Sequence, residues 1–341
     1  MELHLEPIIG HESSRQKALQ HFAKAGHHTL MLEGPKGIGK SCFAGQLSDA
    51  ILAESTQLDG QIRPDPTHPS TRLLMNGGHP DFLLIKATQF GLKSGQIPTE
   101  ALDHIHRFAQ RKGASKRRIV LIDALDDCVL SLSHGLLKLL EEPPEGVVFI
   151  LIVHQIGRIL DTIRSRTSRI NFAPLSVDEM RECLPNLPLG ENPPETETLI
   201  ALSEGAPGRA VTLMDADIDG LLQKCSNYLN DSASNGNSAR ELLQYICLKK
   251  HQHFQAWKHI HLWLCQQILR QSVLRQDQIP IKSAEGIFAA FHRNIRGDSL
   301  LQEIHETIAL LHKIQQPPAY FDAEQTLQSI LLRWHGLIHQ S

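Results

Sequence analysis

Short apolar runs alternate with helical stretches in the first half of the chain. Five runs indicate buried β-strands, at residues 28–33, 81–85, 118–123, 147–153 and, more briefly, 169–172. The spacing of apolar residues predicts helices over 41–54, 98–112 and 130–142, the last of which is stopped by Pro143-Pro144. Near-continuous apolar strands that alternate with helices are typical of a parallel sheet covered on both faces. The pattern therefore predicts an α/β domain with a parallel sheet between helices.

Beyond Pro174 the strand pattern stops. Residues 177–184 and 195–204 have the spacing of short helices, another helix follows Gly208, and helical spacing resumes from about Leu221. The C-terminal third is therefore predicted to be an all-α bundle. Because the chain has 341 residues and a domain averages about 150, two or three domains are expected. We divide the chain into a sheet domain at 1–173, a small helical domain at 174–215 and a helical bundle at 216–341.

Composition excludes several classes of protein. A net charge of −3 gives no global reason for autonomous DNA binding, and the six cysteines form no CxxC pair or zinc-ligand spacing. Met1–Pro7 carries Glu2 and Glu6 and does not resemble a signal peptide. The longest apolar runs are too short to span a bilayer. We therefore expect a cytoplasmic protein with reduced cysteines, no membrane contact and no zinc.

The run Gly34-Pro-Lys-Gly-Ile-Gly-Lys40-Ser41 matches the phosphate-binding loop pattern G-x-x-x-x-G-K-[ST] in full. Gly34, Gly37 and Gly39 let the backbone turn its N–H groups toward phosphate oxygens. We expect Lys40 to neutralise the β- and γ-phosphates of ATP and Ser41 to coordinate Mg²⁺. Two alternatives stay open: a glycine-rich turn that matches by chance, and an inherited loop that no longer binds nucleotide.

An acidic residue ends the third predicted strand. Asp123 has the position of a Walker B aspartate, which holds the Mg²⁺ shell only when nucleotide is present. Hydrolysing enzymes of this type usually place a glutamate next, to polarise the attacking water, but the residue here is Ala124. Asp126 and Asp127 come later, and we interpret them as acids at a helix N-terminus, favoured by the helix dipole. The sequence therefore predicts little or no ATP hydrolysis.

Three further motifs carry a family resemblance. Asp123-Ala-Leu-Asp126, Gly135-Leu-Leu-Lys-Leu-Leu-Glu-Glu-Pro-Pro144 and Ile163-Arg-Ser-Arg166 together resemble the clamp-loader subunits of bacterial DNA polymerase III, which are AAA+ proteins. The delta-prime family is the most similar. The resemblance runs from Ile8-Ile-Gly10-His11 to Gly205-Ala-Pro-Gly-Arg209, about two-thirds of the chain, while the C-terminal helices match only in character.

The resemblance implies roles for two arginines. Arg166 corresponds to the arginine finger of the family's Ser-Arg-Cys motif, which acts in trans on the γ-phosphate of ATP held by a neighbouring subunit. The motif here is Ser165-Arg166-Thr167, without the cysteine. Arg209 corresponds to a sensor arginine of the helical lid domain. Many family members also bear a four-cysteine zinc module, but the matching segment 58–78 has no cysteine, although His79-Pro-Asp81 is present.

The resemblance further implies an architecture and partners. It implies an AAA+ domain, a helical lid and an all-α collar that assembles into a five-membered ring with gamma/tau and delta subunits. Such a ring loads the sliding clamp onto primed DNA at replication forks, in contact with the nucleoid. This subunit would bind ATP with Mg²⁺ and contribute Arg166, with no polymerase site of its own. The alternatives are an active AAA+ ATPase, such as the gamma/tau-like motor subunit, and a P-loop kinase or transferase.

Overall fold

The computed structural model describes residues 8–23, 28–54, 64–92, 95–188, 193–214, 216–230, 237–248, 252–274, 281, 284, 304–308 and 329–333. The chain divides into two compact units, Met1–Glu179 and Met180–Ser341. This division leaves the predicted separation of a lid at 174–215 from a bundle at 216–341 untested, and that separation stays a prediction.

The first unit is built on a five-stranded parallel sheet with the strand order β2-β3-β4-β1-β5. The strands are β1 (Thr29–Glu33), β2 (Phe82–Ile85), β3 (Arg118–Ile122), β4 (Val147–Val153) and β5 (Ser168–Asn171). Each begins and ends within one residue of its predicted bounds. Every residue of β3 and β4 is buried, as expected for central strands of a sheet covered on both faces. The predicted fold class is therefore confirmed.

Helices cover the sheet in the first unit. They are α1 (Glu12–Ala23), α2 (Lys40–Leu52), α3 (Pro69–Met75), α4 (Ala101–Gln110), α5 (Leu130–Glu141) and α6 (Asp161–Arg164). The helices α2, α4 and α5 were predicted from their apolar spacing, and the others were not. The helix α3 lies in the cysteine-free segment 58–78, where Pro69 occupies the first turn and the His68 ring accepts a hydrogen bond from Ser70 N. His68 thus caps a helix that the sequence did not reveal.

From α7 (Val177–Cys183) onward, every regular element that the structure describes is helical. The later helices are α8 (Thr196–Ser203), α9 (Pro207–Met214), α10 (Ile218–Asn230), α11 (Asn237–Leu248) and α12 (Gln252–Leu274). Trp257 and Trp263 on α12 are among the largest buried side chains of the second unit. Pro280 and Pro317-Pro318, which were expected to punctuate the bundle, lie outside the described residues. Among the described helices, none has the length and apolar character needed to cross a membrane.

The His79-Pro-Asp81 motif joins α3 and β2 to the rest of the sheet domain. The His79 ring pairs with the Ser70 hydroxyl at 3.0 Å through Nε2 and accepts the Asp81 N–H at 3.1 Å through Nδ1. The buried Asp81 carboxylate accepts the N–H groups of Ala114 and Ser115 at 3.2 and 2.6 Å. A buried carboxylate is stable when backbone donors satisfy it. In this chain the motif therefore links α3, the start of β2 and the segment before β3 through hydrogen bonds.

Candidate functional site

The glycine-rich loop lies between β1 and α2, at the carboxyl end of the sheet. Gly34, Gly37 and Gly39 all have positive φ angles, of 147°, 85° and 99°. A Cβ atom on Gly34 would lie 2.2 Å from the Phe172 carbonyl oxygen, so no other residue fits there. Gly39 caps the N-terminus of α2, whose free N–H groups and dipole favour an anion at this point. The local geometry is therefore that of a phosphate-binding loop.

Lys40 lies inside this loop with only 2% of its surface exposed. Its Nζ donates hydrogen bonds to the carbonyl oxygens of Gly34 at 2.5 Å and Pro35 at 2.6 Å. An ammonium group has three N–H donors, so one remains for a further acceptor. Burial lowers the pKa of Lys40 to about 8, against the opposing effect of the nearby Asp126 and Asp123 charges.

Ser41 and Asp123 bring α2 and the end of β3 together. The Ser41 hydroxyl donates to Asp123 Oδ1 at 3.2 Å, so two oxygen ligands suited to Mg²⁺ are adjacent. No group of three or more His, Cys, Asp or Glu side chains that could hold a metal occurs in the described part of the chain. The pair fits a Mg²⁺ ion whose remaining ligands come from phosphate oxygens and water.

The turn after Asp123 determines which groups the following acidic side chains contact. Ala124 adopts a left-handed conformation with φ of 69°, and a short 3-10 turn spans Leu125–Asp127, ahead of α5. The Asp126 carboxylate accepts the N–H groups of His154 at 2.9 Å and Gln155 at 3.1 Å. Asp126 and Asp127 thus lie in the first turn of a short 3-10 helix, and Asp126 in addition holds the loop after β4, a role that the sequence did not predict.

Asp127 differs from Asp126 in its surroundings. Its side chain is half-buried, and burial together with the negative charge of Asp126 raises the pKa of its carboxyl group. The positive charges of Lys36 and Arg158 oppose this rise. The charges of the loop residue Lys36 and of Asp123 therefore act on the Asp127 carboxyl group. Asp127 does not occupy the position directly after Asp123, where hydrolysing enzymes of this type place a glutamate.

His154 is a residue of this site that the sequence analysis missed. It follows β4 directly, and Gly34 N donates to the carbonyl oxygen of the preceding Val153 at 3.2 Å, which sets His154 beside the loop. Burial, reinforced by the positive charge of Lys40, lowers the pKa of His154 to about 4. Its Nδ1 atom is buried without a hydrogen-bond partner in the described structure. The ring is therefore neutral near pH 7. The sequence signal was a polar residue directly after an entirely apolar strand.

Arg166 follows shortly after the end of α6 and is distant in sequence from the glycine-rich loop. Its side chain is hydrogen-bonded to Glu141, the last residue of α5. Its Nε donates to Glu141 Oε1 at 2.6 Å, and its Nη2 lies 2.5 Å from the same oxygen. Its Nη1 donates to the Thr162 carbonyl oxygen at 2.8 Å. The side chain is 35% exposed. Within the first unit, Arg166 is thus a surface residue, which is compatible with a role in trans.

Arg209 lies in the second unit, on α9, where its Nη1 is ion-paired with Glu204. Its predicted contact with nucleotide stays a prediction.

The loop, the acid at the end of β3 and the parallel strand order together define a P-loop domain of the AAA+ type. The sequence model of the family described as "DNA polymerase III, delta subunit" matches residues 12–176. This match covers just under half of the chain, and the predicted resemblance to the delta-prime subunits of DNA polymerase III is confirmed.

Individual relatives support this assignment. The DNA polymerase III subunit delta' of Yersinia pestis is 31% identical over 211 residues, which cover 60% of this chain and 59% of the relative. The delta' subunit of Bacillus subtilis is 31% identical over 148 residues, 43% of each chain. Subunit gamma of Buchnera aphidicola subsp. Baizongia pistaciae is 30% identical over 195 residues, 55% of this chain and 50% of the relative. The chain thus matches about half the length of these curated relatives.

Among solved structures, the DNA polymerase III gamma subunit-related protein of Thermotoga maritima aligns with 97% of this chain and 100% of its own, at 15% identity and a TM-score of 0.48. That likeness is too weak to bear on function.

Proposed function

We propose that the chain is a clamp-loader subunit of the replicative polymerase that holds ATP with Mg²⁺ but turns it over poorly. Its main catalytic contribution is Arg166, acting in trans on a neighbouring ATPase subunit. The observation that carries the proposal is the combination of an intact phosphate loop around Lys40 with Ala124 in the position of the water-polarising glutamate. By resemblance, the partners are gamma/tau and delta subunits in a ring that loads the sliding clamp onto primed DNA in the cytoplasm.

Nucleotide binding would use the loop and its two neighbouring strands. The Lys40 ammonium keeps its contacts with the loop carbonyls and gives its remaining N–H to a phosphate oxygen. The N-terminus of α2 supplies backbone donors to the same anion. Ser41 and Asp123 would hold the Mg²⁺ that neutralises the phosphates. The neutral His154 ring, beside the loop, can donate a hydrogen bond to the terminal phosphate.

Low turnover of ATP is expected because no acidic side chain near Asp123 is positioned to activate the attacking water. Ala124 has no carboxylate, and both oxygens of Asp126 accept backbone N–H groups. A carboxylate whose two oxygens both hold backbone N–H groups is a poor general base, because these contacts fix its orientation toward the loop after β4. Without a positioned base, the attacking water loses an activation that is worth orders of magnitude in rate.

The same lysine makes nucleotide affinity depend on pH. Phosphate charge raises the pKa of Lys40 in the complex, whereas its pKa in the free chain is about 8. Binding above pH 8 therefore takes up a proton, and affinity should be constant below pH 8 and fall by up to about tenfold per pH unit above it. Calorimetric titration with a non-hydrolysable ATP analogue between pH 7 and 9.5 measures this.

Two checks make the pH result interpretable. Because the folded pKa is below the unfolded value, the unfolded chain binds more protons between pH 8 and 10.5, and this lysine makes the fold more stable as pH rises there. A loss of nucleotide binding above pH 8 would therefore not be caused by a destabilising effect of Lys40 on the fold. The variant Lys40→Arg, which stays protonated, should bind with no such slope. A constant wild-type affinity up to pH 9.5 would contradict the assignment.

The second candidate is an active ATPase of the gamma/tau type. The intact loop favours it, as does the similarity to subunit gamma of Buchnera aphidicola. Asp127 would then have to serve as the base, since its carboxyl group has a raised pKa and experiences the charge of the loop residue Lys36.

Phosphate release by the purified chain separates the two candidates. For the proposed subunit, turnover by the chain alone should be at least about 100-fold below that of the complex reconstituted with gamma/tau and delta subunits of the same organism. Omission of the chain should also abolish loading of the sliding clamp onto primed DNA. Turnover by the chain alone that approaches the rate of the complex, and is lost in Asp127→Asn, would establish the active ATPase instead.

A further inference from the structure

All three nitrogen atoms of the Arg166 guanidinium group contact neighbouring residues, and two of them contact Glu141. Nε and Nη2 share the Glu141 Oε1 atom, at 2.6 and 2.5 Å, on one side. Nη1 donates to the Thr162 carbonyl at 2.8 Å on the other, and more weakly to the Ser165 hydroxyl at 3.3 Å. A guanidinium group has five N–H donors, of which these contacts leave one, on Nη2, uncommitted.

The groups that hold Arg166 are themselves well fixed. Glu141 is the last residue of α5, which ends where Pro143-Pro144 prevents its continuation. The neighbouring Leu139 and Leu140 anchor this end of α5 in the hydrophobic core. Thr162 lies within α6, one turn before Arg166. The guanidinium is therefore held between two separate helices, which restricts both its position and its plane.

The contribution of the Arg166–Glu141 ion pair to folding stability is too small to explain why Arg166 is held in this way. The side chains of Arg166 and Glu141 are 35% and 46% exposed, and ion pairs at such positions contribute little to the free energy of folding. A free arginine, in contrast, loses considerable rotamer freedom when it is ordered on a partner. An arginine that is already ordered on its own chain avoids part of that loss when it meets an anion.

We propose that Glu141 is a positioning residue, which orders Arg166 in advance for the terminal phosphate of the nucleotide on the neighbouring subunit. The inference rests on the proposed function, since it requires Arg166 to act in trans. Glu141 does not touch the phosphate. It holds the Nε side of the guanidinium, so that the free N–H of Nη2 is presented in one orientation to developing phosphate charge.

The adjacent Glu142 provides a matched control. It belongs to the same Glu-Glu-Pro-Pro motif, carries the same charge and is exposed. It is the C-cap residue of α5, and no hydrogen bond or ion pair of its carboxylate occurs among the described residues. Glu141→Gln and Glu142→Gln therefore remove the same charge at neighbouring positions, but only the first alters the contact with Arg166.

The test uses the complex reconstituted with gamma/tau and delta subunits of the same organism. We expect Glu141→Gln to lower kcat at the neighbouring subunit's ATP site, measured from that site's share of the phosphate burst, about tenfold, equivalent to about 1.4 kcal/mol, with the KM of that site unchanged. Glu142→Gln should match the wild type. In an Arg166→Lys background, which lacks the Nε contact, adding Glu141→Gln should change kcat little, as a double-mutant cycle requires for an effect exerted through Arg166. Thermal unfolding of each variant checks that the fold is retained.

The outcomes separate this inference from the proposed function. If Arg166→Ala leaves turnover by the complex unchanged, the proposed function itself fails. If Arg166→Ala removes the neighbouring site's share of the phosphate burst but Glu141→Gln leaves the burst unchanged or accelerates it, then the positioning role of Glu141 is wrong. An equal effect of Glu141→Gln in the wild-type and Arg166→Lys backgrounds would also overturn it, because the effect would then not pass through Arg166.

Discussion

Replacing Arg166 with alanine is expected to slow ATP hydrolysis at the neighbouring subunit's site by about 1,000-fold or more in the reconstituted complex. An arginine supplied in trans stabilises the charge that develops on the transferred phosphoryl group, and such residues contribute about 10³ to 10⁵ in rate. The guanidinium is exposed on the first unit and already ordered by Glu141 and Thr162, so it is available to a partner at little conformational cost. Rapid-quench measurement of the first turnover should show the loss of one site's share of the phosphate burst.

Arg164→Ala is the matched control for this experiment. Arg164 is the last residue of α6, its side chain is also 35% exposed, and it is ion-paired with Asp161 on its own helix. Its removal should leave the burst unchanged. Nucleotide binding by the chain itself should be unaffected by Arg166→Ala, which distinguishes a role in trans from one in the chain's own site. An undiminished burst would show that Arg166 is a surface arginine without catalytic function.

Lys40→Ala is expected to weaken binding of a non-hydrolysable ATP analogue by about 100- to 1,000-fold, or about 3 to 4 kcal/mol. The ammonium is almost fully buried, where a charge-assisted hydrogen bond to phosphate is little screened by solvent. Isothermal titration calorimetry in the presence of Mg²⁺ measures the affinity of the chain alone.

The control for Lys40 comes from the same loop. Lys36 is exposed, so Lys36→Ala should change the affinity by no more than a few fold. Melting curves of both variants establish that they fold. Equal affinities of the wild type and Lys40→Ala would mean that the loop is inherited without a binding function, and Arg166 would then be the main functional residue.

The secondary structure was predictable where burial is continuous. The strands β3 and β4 are uninterrupted apolar runs, and their observed bounds agree with the predicted ones to within one residue. The helices α1 and α3 were not predicted, because their apolar residues do not recur with a clear helical spacing. The helix α3 spans Pro69–Met75 and depends on His68 as a cap and on the contact between Ser70 and His79. Such contacts between segments leave no periodic pattern in the sequence.

The candidate site likewise has features that the sequence predicts and others that it does not. The loop from Gly34 to Ser41 is contiguous, so its spacing alone identifies it. Asp126 illustrates the opposite case: its carboxylate satisfies two N–H groups of the loop after β4, 28 and 29 residues away. No local pattern indicates a partner at that distance, so the interpretation of Asp126 as an acid at a helix N-terminus did not include this contact.

The sequence by itself determined the parallel sheet, the phosphate loop, Asp123 and the absence of a glutamate at Ala124. These features depend on runs of neighbouring residues, whose burial and backbone conformation follow from local composition. Only the tertiary structure decided that His154 lies beside the loop, that Asp126 is committed to the backbone and that Glu141 holds Arg166. These relations join residues from different elements, and the physical reason they appear only in the fold is that packing, not sequence spacing, sets the distances between their side chains.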